Sequence, residues 1–334
     1  MAVRLTILGS GSRGNCAYLE TDQVRLLIDA GFSGKQIRQR LATIGRTPET
    51  LNGILLTHEH SDHATGLKVI AGKLGIPLYA NRLTLDAVSS QAKSTFQGKI
   101  FQTGCAFDIG DVTVETFSIP HDAQDPVGFL LRTESVSIGF LTDLGHATGM
   151  VLDRVRPANA LILETNYDTQ LLQADTKRPW SIKQRIMSRH GHLSNEAAAK
   201  VAEALISDHL SHIYMAHLSR DCNQPELAEK TLNQVFLQAG VNHVRLHRTE
   251  QDAPCPTLCL DASVQENPME APPQIAHPQN ESGVVAVGAL APAKTINPQI
   301  SDSSQASSLD HDAFFRRLMN DLPPTEEDEP ADAS

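Results

Sequence analysis

Seven residues constrain this chain more than any others: Thr57-His58-Glu59-His60-Ser61-Asp62-His63. An apolar run, Gly53-Ile54-Leu55-Leu56, precedes them and has the length and bounds of a buried strand. The cluster therefore marks the point where a strand leaves the core. Side chains alternate along an extended segment, which puts His58 and His60 on the same side. Asp62 and His63 are adjacent and diverge unless the chain turns between them, which points to a second binding point nearby. Two pairs of ligand-type side chains aimed at two neighbouring points are what a dinuclear metal site needs.

Such a site needs further ligands, and these should stand at other strand ends. His121 comes after Phe117-Ser118-Ile119-Pro120, Asp143 after Phe140-Leu141-Thr142, and His217 after Ile213-Tyr214-Met215-Ala216. The remaining histidines, among them His209, His212, His243, His247, His277 and His311, fall in helices, strand interiors or the C-terminal region and read as surface or core residues.

The glycines near the N-terminus offer a competing reading. Gly9-Ser10-Gly11-Ser12-Arg13-Gly14 comes after a strand-like Val3–Leu8 and formally matches GxGxxG, with Asp29 near the place of a ribose-binding acid. That reading requires a helix to open at the loop. The next residues are instead Cys16–Glu20, a Thr21-Asp22 turn and Val24–Asp29. They form a hairpin, and the dinucleotide reading fails its own context. The glycines suit a tight turn at the mouth of a site, with backbone N–H groups facing an anion. Ser33 reads as the N-cap of a helix ended by Gly45, and 64–74, 82–91, 148–155, 195–206 and 225–239 carry helical patterns. Strand patterns at 112–117, 127–132, 137–141, 160–163, 212–215 and 243–247 lie between them. This mixture predicts sheets covered by helices rather than one wound parallel sheet.

Composition divides the chain. The net charge is −11, but 12 acidic and 3 basic residues fall within 263–334, leaving the first 262 residues nearly neutral. The acidic total therefore does not exclude a polyanionic substrate. The stretch 263–334 holds nine of the 18 prolines and two aromatics, too little apolar surface to order itself, and reads as a disordered acidic tail behind a catalytic domain of residues 1–262. Within it, Phe314, Phe315, Leu318, Met319 and Leu322 share one face of a short helix at 310–322, which suits a protein partner. Five cysteines show no paired framework, the N-terminus carries no signal-like segment, and no apolar run is long enough for a membrane. A reduced cytoplasmic protein is expected.

His58-x-His60-x-Asp62-His63 with His121, Asp143 and His217 resembles the metallo-β-lactamase-fold hydrolases. Within them the similarity is closest to the WalJ/YycJ family of metal-dependent DNA phosphodiesterases with 5′-to-3′ exonuclease activity. Supporting segments are Gly9–Asn15, Ile28–Lys35, Pro120–Ala123, Leu163–Asn166, Gly191–Glu196 and Ala216–Ser219, and the likeness covers roughly residues 1–260. It implies a four-layer αββα sandwich of the α/β (α+β) kind. It also implies one metal on His58, His60 and His121, a second on Asp62, His63 and His217, and Asp143 as the bridge. Imidazole and carboxylate ligands suit Zn²⁺ or Mn²⁺. Two such cations, roughly 3.5–4 Å apart, lower the pKa of a shared water towards about 7 and clamp both oxygens of an in-line displacement. Asp62 and His192 are the expected catalytic residues, His192 by its likeness to the histidine that protonates the leaving oxygen or holds the phosphate in related nucleases. Asp29 and Glu164 suit the orientation of ligands from behind. Tyr167 departs from the family pattern, which expects a histidine before Asp168.

Substrate is a separate question. Between Thr176 and His190 lie Lys177, Arg178, Lys183, Arg185 and Arg189 with no acid, and the single tryptophan, Trp180, lies among them. Lys177, Arg178, Lys183 and Arg185 are expected to track a phosphate backbone while Trp180 stacks a terminal base. DNA is the expected substrate; the alternative is a small-molecule hydrolase, either a cyclic phosphodiesterase or a hydroxyacyl-thioester hydrolase, on the same site.

Overall fold

The computed structural model describes residues 2–260. The tail and the helix expected at 310–322 lie outside the described residues. Fourteen strands are present among them: β1 (Val3–Gly9), β2 (Cys16–Glu20), β3 (Arg25–Ile28), β4 (Gly53–Leu55), β5 (Leu78–Ala80), β6 (Gly98–Ile100), β7 (Ala106–Ile109), β8 (Val112–Ser118), β9 (Val127–Arg132), β10 (Ser137–Leu141), β11 (Ala160–Glu164), β12 (His212–Ala216), β13 (Arg245–Arg248) and β14 (Leu258–Leu260). The helices are α1 (Gly34–Thr43), α2 (Ser61–Ala64), α3 (Arg82–Ala92), α4 (Gly149–Val155), α5 (Thr169–Ala174), α6 (Trp180–Met187), α7 (Asn195–Ala204) and α8 (Pro225–Gln238).

The strands form two seven-stranded sheets, ordered β14-β1-β2-β3-β4-β5-β6 and β13-β12-β11-β10-β9-β8-β7. Each sheet is part antiparallel and part parallel. In the first, β14-β1-β2-β3 alternate in direction and β3 to β6 run parallel. In the second, β7 to β10 alternate and β10 to β13 run parallel. Alternation of apolar residues along the strands explains the layers. Leu5, Ile7, Leu19 and Leu26 meet Val114, Phe129, Ile138 and Ile162 in a core between the sheets. The opposite faces bury Leu27 and Ile54 against Ile37 and Leu41 of α1, and Leu161 and Met215 against α4, α7 and α8. This is the expected αββα sandwich.

One local expectation needed correction. The stretch 64–74 is not one helix: a single turn at α2 is succeeded by a wider, π-type turn over Lys68–Lys73. Four amides of the Gly9–Gly14 loop, whose Ser12 lines the cleft described below, already have partners within the protein. Ser10, Gly11, Arg13 and Gly14 donate to Glu250 O, Asn15 Oδ1, Gln251 Oε1 and Gly11 O respectively, which leaves the loop as a brace.

Candidate metal centre and its cleft

Strand direction brings the polar residues together. Strands β8, β10, β11 and β12 run the same way, and His121, Asp143, Glu164 and His217 stand at or just past their C-terminal ends. Asp29 and His58 stand just past β3 and β4 of the other sheet. Open α/β sheets carry their sites at this edge because side chains there leave the core without leaving the scaffold. Two bonds between the sheets fix the approach: Val127 N–H donates to Thr57 O (3.1 Å), and His217 N–H donates to Ser10 Oγ (2.8 Å).

The turn at α2 answers the question left by Asp62 and His63. On a helical turn neighbours diverge by about 100° rather than 180°, and both side chains reach one point. The ligand atoms gather in two groups, His58, His60 and His121 in one, and Asp62, His63, Asp143 and His217 in the other, each with all atoms within 4.8 Å of one another. His60 Nδ1 faces His121 Nε2 at 3.3 Å. Asp62 Oδ2 lies 3.2 Å from His217 Nε2 and 3.5 Å from His63 Nε2. Asp143 stands between the groups, 2.9 Å from His63 Nε2 and 3.9 Å from His121 Nε2.

Three of the ligand rings, His63, His121 and His217, are held from behind. His63 Nδ1 lies 2.7 Å from Asp29 Oδ2, and the Thr57 N–H and hydroxyl donate to Asp29 Oδ1. His121 Nδ1 rests on Gly191 O. Glu164, fully buried, takes both His217 Nδ1 (2.9 Å) and His192 Nδ1 (2.7 Å) on one oxygen and the Leu144 N–H on the other. A third gathering of acid and imidazole, Asp143, Glu164, His192 and His217, is therefore the bracing layer. These contacts leave the Nε2 atoms of His63, His121 and His217 turned inward.

Backbone strain is concentrated here. Only four described non-glycine residues have left-handed φ, and three of them are Asp29 (61°), Asp143 (57°) and His217 (55°). Such conformations cost roughly 1 kcal/mol or more each and persist where surrounding bonds over-determine them. Gly31 reflects the same crowding: a Cβ there would stand 1.7 Å from the Asp62 carbonyl oxygen.

The electrostatics suit cations. Burial disfavours a charged His63 or His217, yet Asp143 and the other carboxylates around each ring raise both pKa values well above the ordinary range. Burial together with the neighbouring His63 holds His58 well below it, and burial lowers His121. A divalent cation bound here would compete with protons for His63 and His217. His58 Nε2 is buried with no hydrogen-bond partner, a costly state for a ring nitrogen unless a cation or donor meets it. The donor set fits divalent metal ions.

The centre opens into a cleft of about 260 Å³, lined also by Ser12, Asp122, Asn166, Arg178, Ile182, Arg185, Ile186, His192 and Ser219. Here the expected basic track fares differently from the ligands. Arg178 and Arg185 line the cleft, but Arg178 is paired with Asp175 and Asp221, and Arg185 with Asp122. Lys177 reaches Asp221 (3.0 Å) outside the cleft. Lys183, expected on the phosphate track, is buried, its amine donating to Gln173 O (2.8 Å), and does not line the cleft. Trp180 is 58% exposed yet does not line the cleft. Tyr167 packs with Leu172 and Cys222 in a small separate core.

Several residues of the site escaped the sequence reading. Asn15 Nδ2 lies 3.1 Å from His63 Nε2 and 3.4 Å from Asp62 Oδ2, and its N–H donates to the Asp62 carbonyl. Asn166 Nδ2 donates to His217 O. Both lie in segments that carry the family resemblance, but nothing local says that a residue at 15 reaches one at 62.

The comparisons with known proteins agree with this architecture. A family model described as a β-lactamase superfamily domain matches residues 24–215. The exodeoxyribonuclease YycJ of Bacillus anthracis is 39% identical over 242 residues, covering 72% of this chain and 91% of the relative. The exodeoxyribonuclease WalJ of Streptococcus pneumoniae is 40% identical over 245 residues, covering 71% and 90%. Among solved structures, the metallo-β-lactamase fold protein YhfI from Bacillus subtilis matches with a TM-score of 0.60 at 16% identity, over 76% of this chain and 99% of its own, a likeness of fold alone. The chain belongs to the β-lactamase superfamily, in the group of the WalJ/YycJ proteins.

Proposed function

We propose that this chain is a cytoplasmic two-metal phosphodiesterase that removes nucleotides from DNA in the 5′-to-3′ direction. The observation that carries the reading is the convergence of seven ligand-type residues, delivered by the ends of β4, β8, β10 and β12, in a chain 39–40% identical to exodeoxyribonucleases over nine-tenths of their length. His58, His60 and His121 would hold one ion, Asp62, His63 and His217 the other, with Asp143 shared. Zn²⁺ or Mn²⁺ bound there would supply Lewis-acid polarisation of the phosphodiester and acidification of a nearby water.

The protein's own groups then divide the work. Both acidic ligands line the cleft, but Asp62 is the more exposed, its side chain 20% against 2% for Asp143, and can orient an attacking water. His192 leans its Nδ1 on Glu164 and leaves the other ring nitrogen for the leaving oxygen. Burial opposes its charge, but the Glu164 carboxylate prevails and raises its pKa, the state a general acid needs. Arg178 and Arg185 stand beside the cleft to exchange a carboxylate for a phosphate.

The test is cleavage of 5′- and 3′-labelled DNA, matched RNA and bis-p-nitrophenyl phosphate with Mn²⁺ or Zn²⁺. Stepwise release from the DNA 5′ end is expected. Turnover of the small ester with no attack on either polynucleotide would refute the nuclease reading and favour a small-molecule hydrolase.

A further inference from the structure

The cleft has one apolar patch. Apart from Gly191, every side chain lining it is polar or charged except Ile182 and Ile186. These two stand one turn apart on α6, with Arg185 beside them at i+3, and all three face the metal-ligand wall. Ile186 is partly accounted for, since its inner side packs on the Tyr167–Leu172–Cys222 core. Ile182 belongs to no core cluster and is 39% exposed. Apolar surface held open to water within a polar cleft is unfavourable in proportion to its area, and phosphate chemistry alone does not call for it.

Resting on the nuclease reading above, we infer that Ile182, backed by Ile186, is the shelf on which the base of the terminal nucleotide lies during cleavage. The position supports a base in particular. Arg178 and Arg185 line the same cleft beside the shelf, where phosphates would lie, and metal ligands line the rest of its volume of about 260 Å³. The shelf also replaces the expected role of Trp180. Two residues apart on a helix lie on roughly opposite sides, and the tryptophan points away from the face that Ile182 presents to the cleft. An aliphatic shelf grips any base by its face, which predicts preference for a base over none but little preference among the four.

The experiment uses the full chain with the metal that supports DNA cleavage. Two single-stranded oligonucleotides are compared, identical except that the nucleotide at the attacked end carries a base in one and a tetrahydrofuran abasic residue in the other. Wild type is expected to favour the base-bearing end by about tenfold in kcat/KM, and Ile182→Ala to reduce that ratio about fivefold, with the change in KM. Ile182→Leu should restore the ratio. Thermal melting of each variant shows whether it is folded. An unchanged ratio in a folded Ile182→Ala, or a ratio lost in Trp180→Ala and kept in Ile182→Ala, overturns the shelf while leaving the nuclease reading intact. Failure of wild type to cleave either oligonucleotide overturns both.

Discussion

Two stretches of this chain invite the same kind of reading and end differently. Thr57–His63 presents a run of ligand-type residues, and Thr176–His190 presents a run of basic ones. In the folded protein the first places all four of its ligand residues in one centre. The second gives its charges mostly back to the protein, to Asp175, Asp221, Asp122 and a backbone carbonyl. A ligand's role depends on where its strand ends, which the local pattern reports. A surface cation's role depends on which carboxylates arrive from elsewhere. Asp122 and Asp221 come from 63 and 43 residues away in sequence, so no local pattern could have announced them.

The sharpest way to break this comparison is at the ligands. His58→Ala should abolish metal retention and lower DNA cleavage by well over about a hundredfold, more than the loss usual for a residue that only supports a ligand. Metal analysis alongside the nuclease assay checks it, and a metal-free variant with full turnover would end the metal reading. One layer further out, Asp29→Asn leaves the side-chain shape but weakens the acceptor for His63 Nδ1 and for Thr57. A fall of roughly 10- to 100-fold in metal affinity is expected, measured by competition with a chelating dye. An effect as large as that of His58→Ala would make Asp29 a ligand in its own right.

The basic stretch supplies the smaller effects. Lys183→Met should cost about 1–2 kcal/mol in thermal or denaturant unfolding, because the charge-assisted bond from the buried Lys183 to Gln173 O is lost, while DNA cleavage stays within about twofold. Lys177→Ala, whose ion pair with Asp221 is largely exposed, should change stability by no more than about 0.5 kcal/mol. A Lys183 variant that folds normally but loses cleavage of DNA and not of the small ester would restore the lysine to the substrate track.

Much of the fold was legible because its signals are short-range. The strand before His58, the Ser33 cap and the hairpin that displaced the dinucleotide reading each depend on residues within one turn or one strand. Short elements with weak alternation were missed: β6 and β7, and β14, which pairs with β1 across the length of the domain. The break in the 64–74 helix had no sequence sign either. The turn there serves Gly31, Asp62 and Asn15, which meet only in space.

What the amino-acid sequence determined by itself was the chemistry available: seven ligand-type residues at strand ends, alternating apolar runs for two sheets, and a resemblance that the β-lactamase superfamily match upheld. Tertiary structure decided how that chemistry is presented. It turned Nε2 of His63, His121 and His217 inward by giving each Nδ1 an acceptor, and it held Asp29, Asp143 and His217 in left-handed backbone that none would keep alone. It also neutralised the basic wall and left Ile182 facing the cleft. The physical reason is range. Alternation, capping and strand ends are set over a few residues, whereas hydrogen-bond acceptors, charge partners and exposed faces are supplied by whichever distant segments the packing brings alongside.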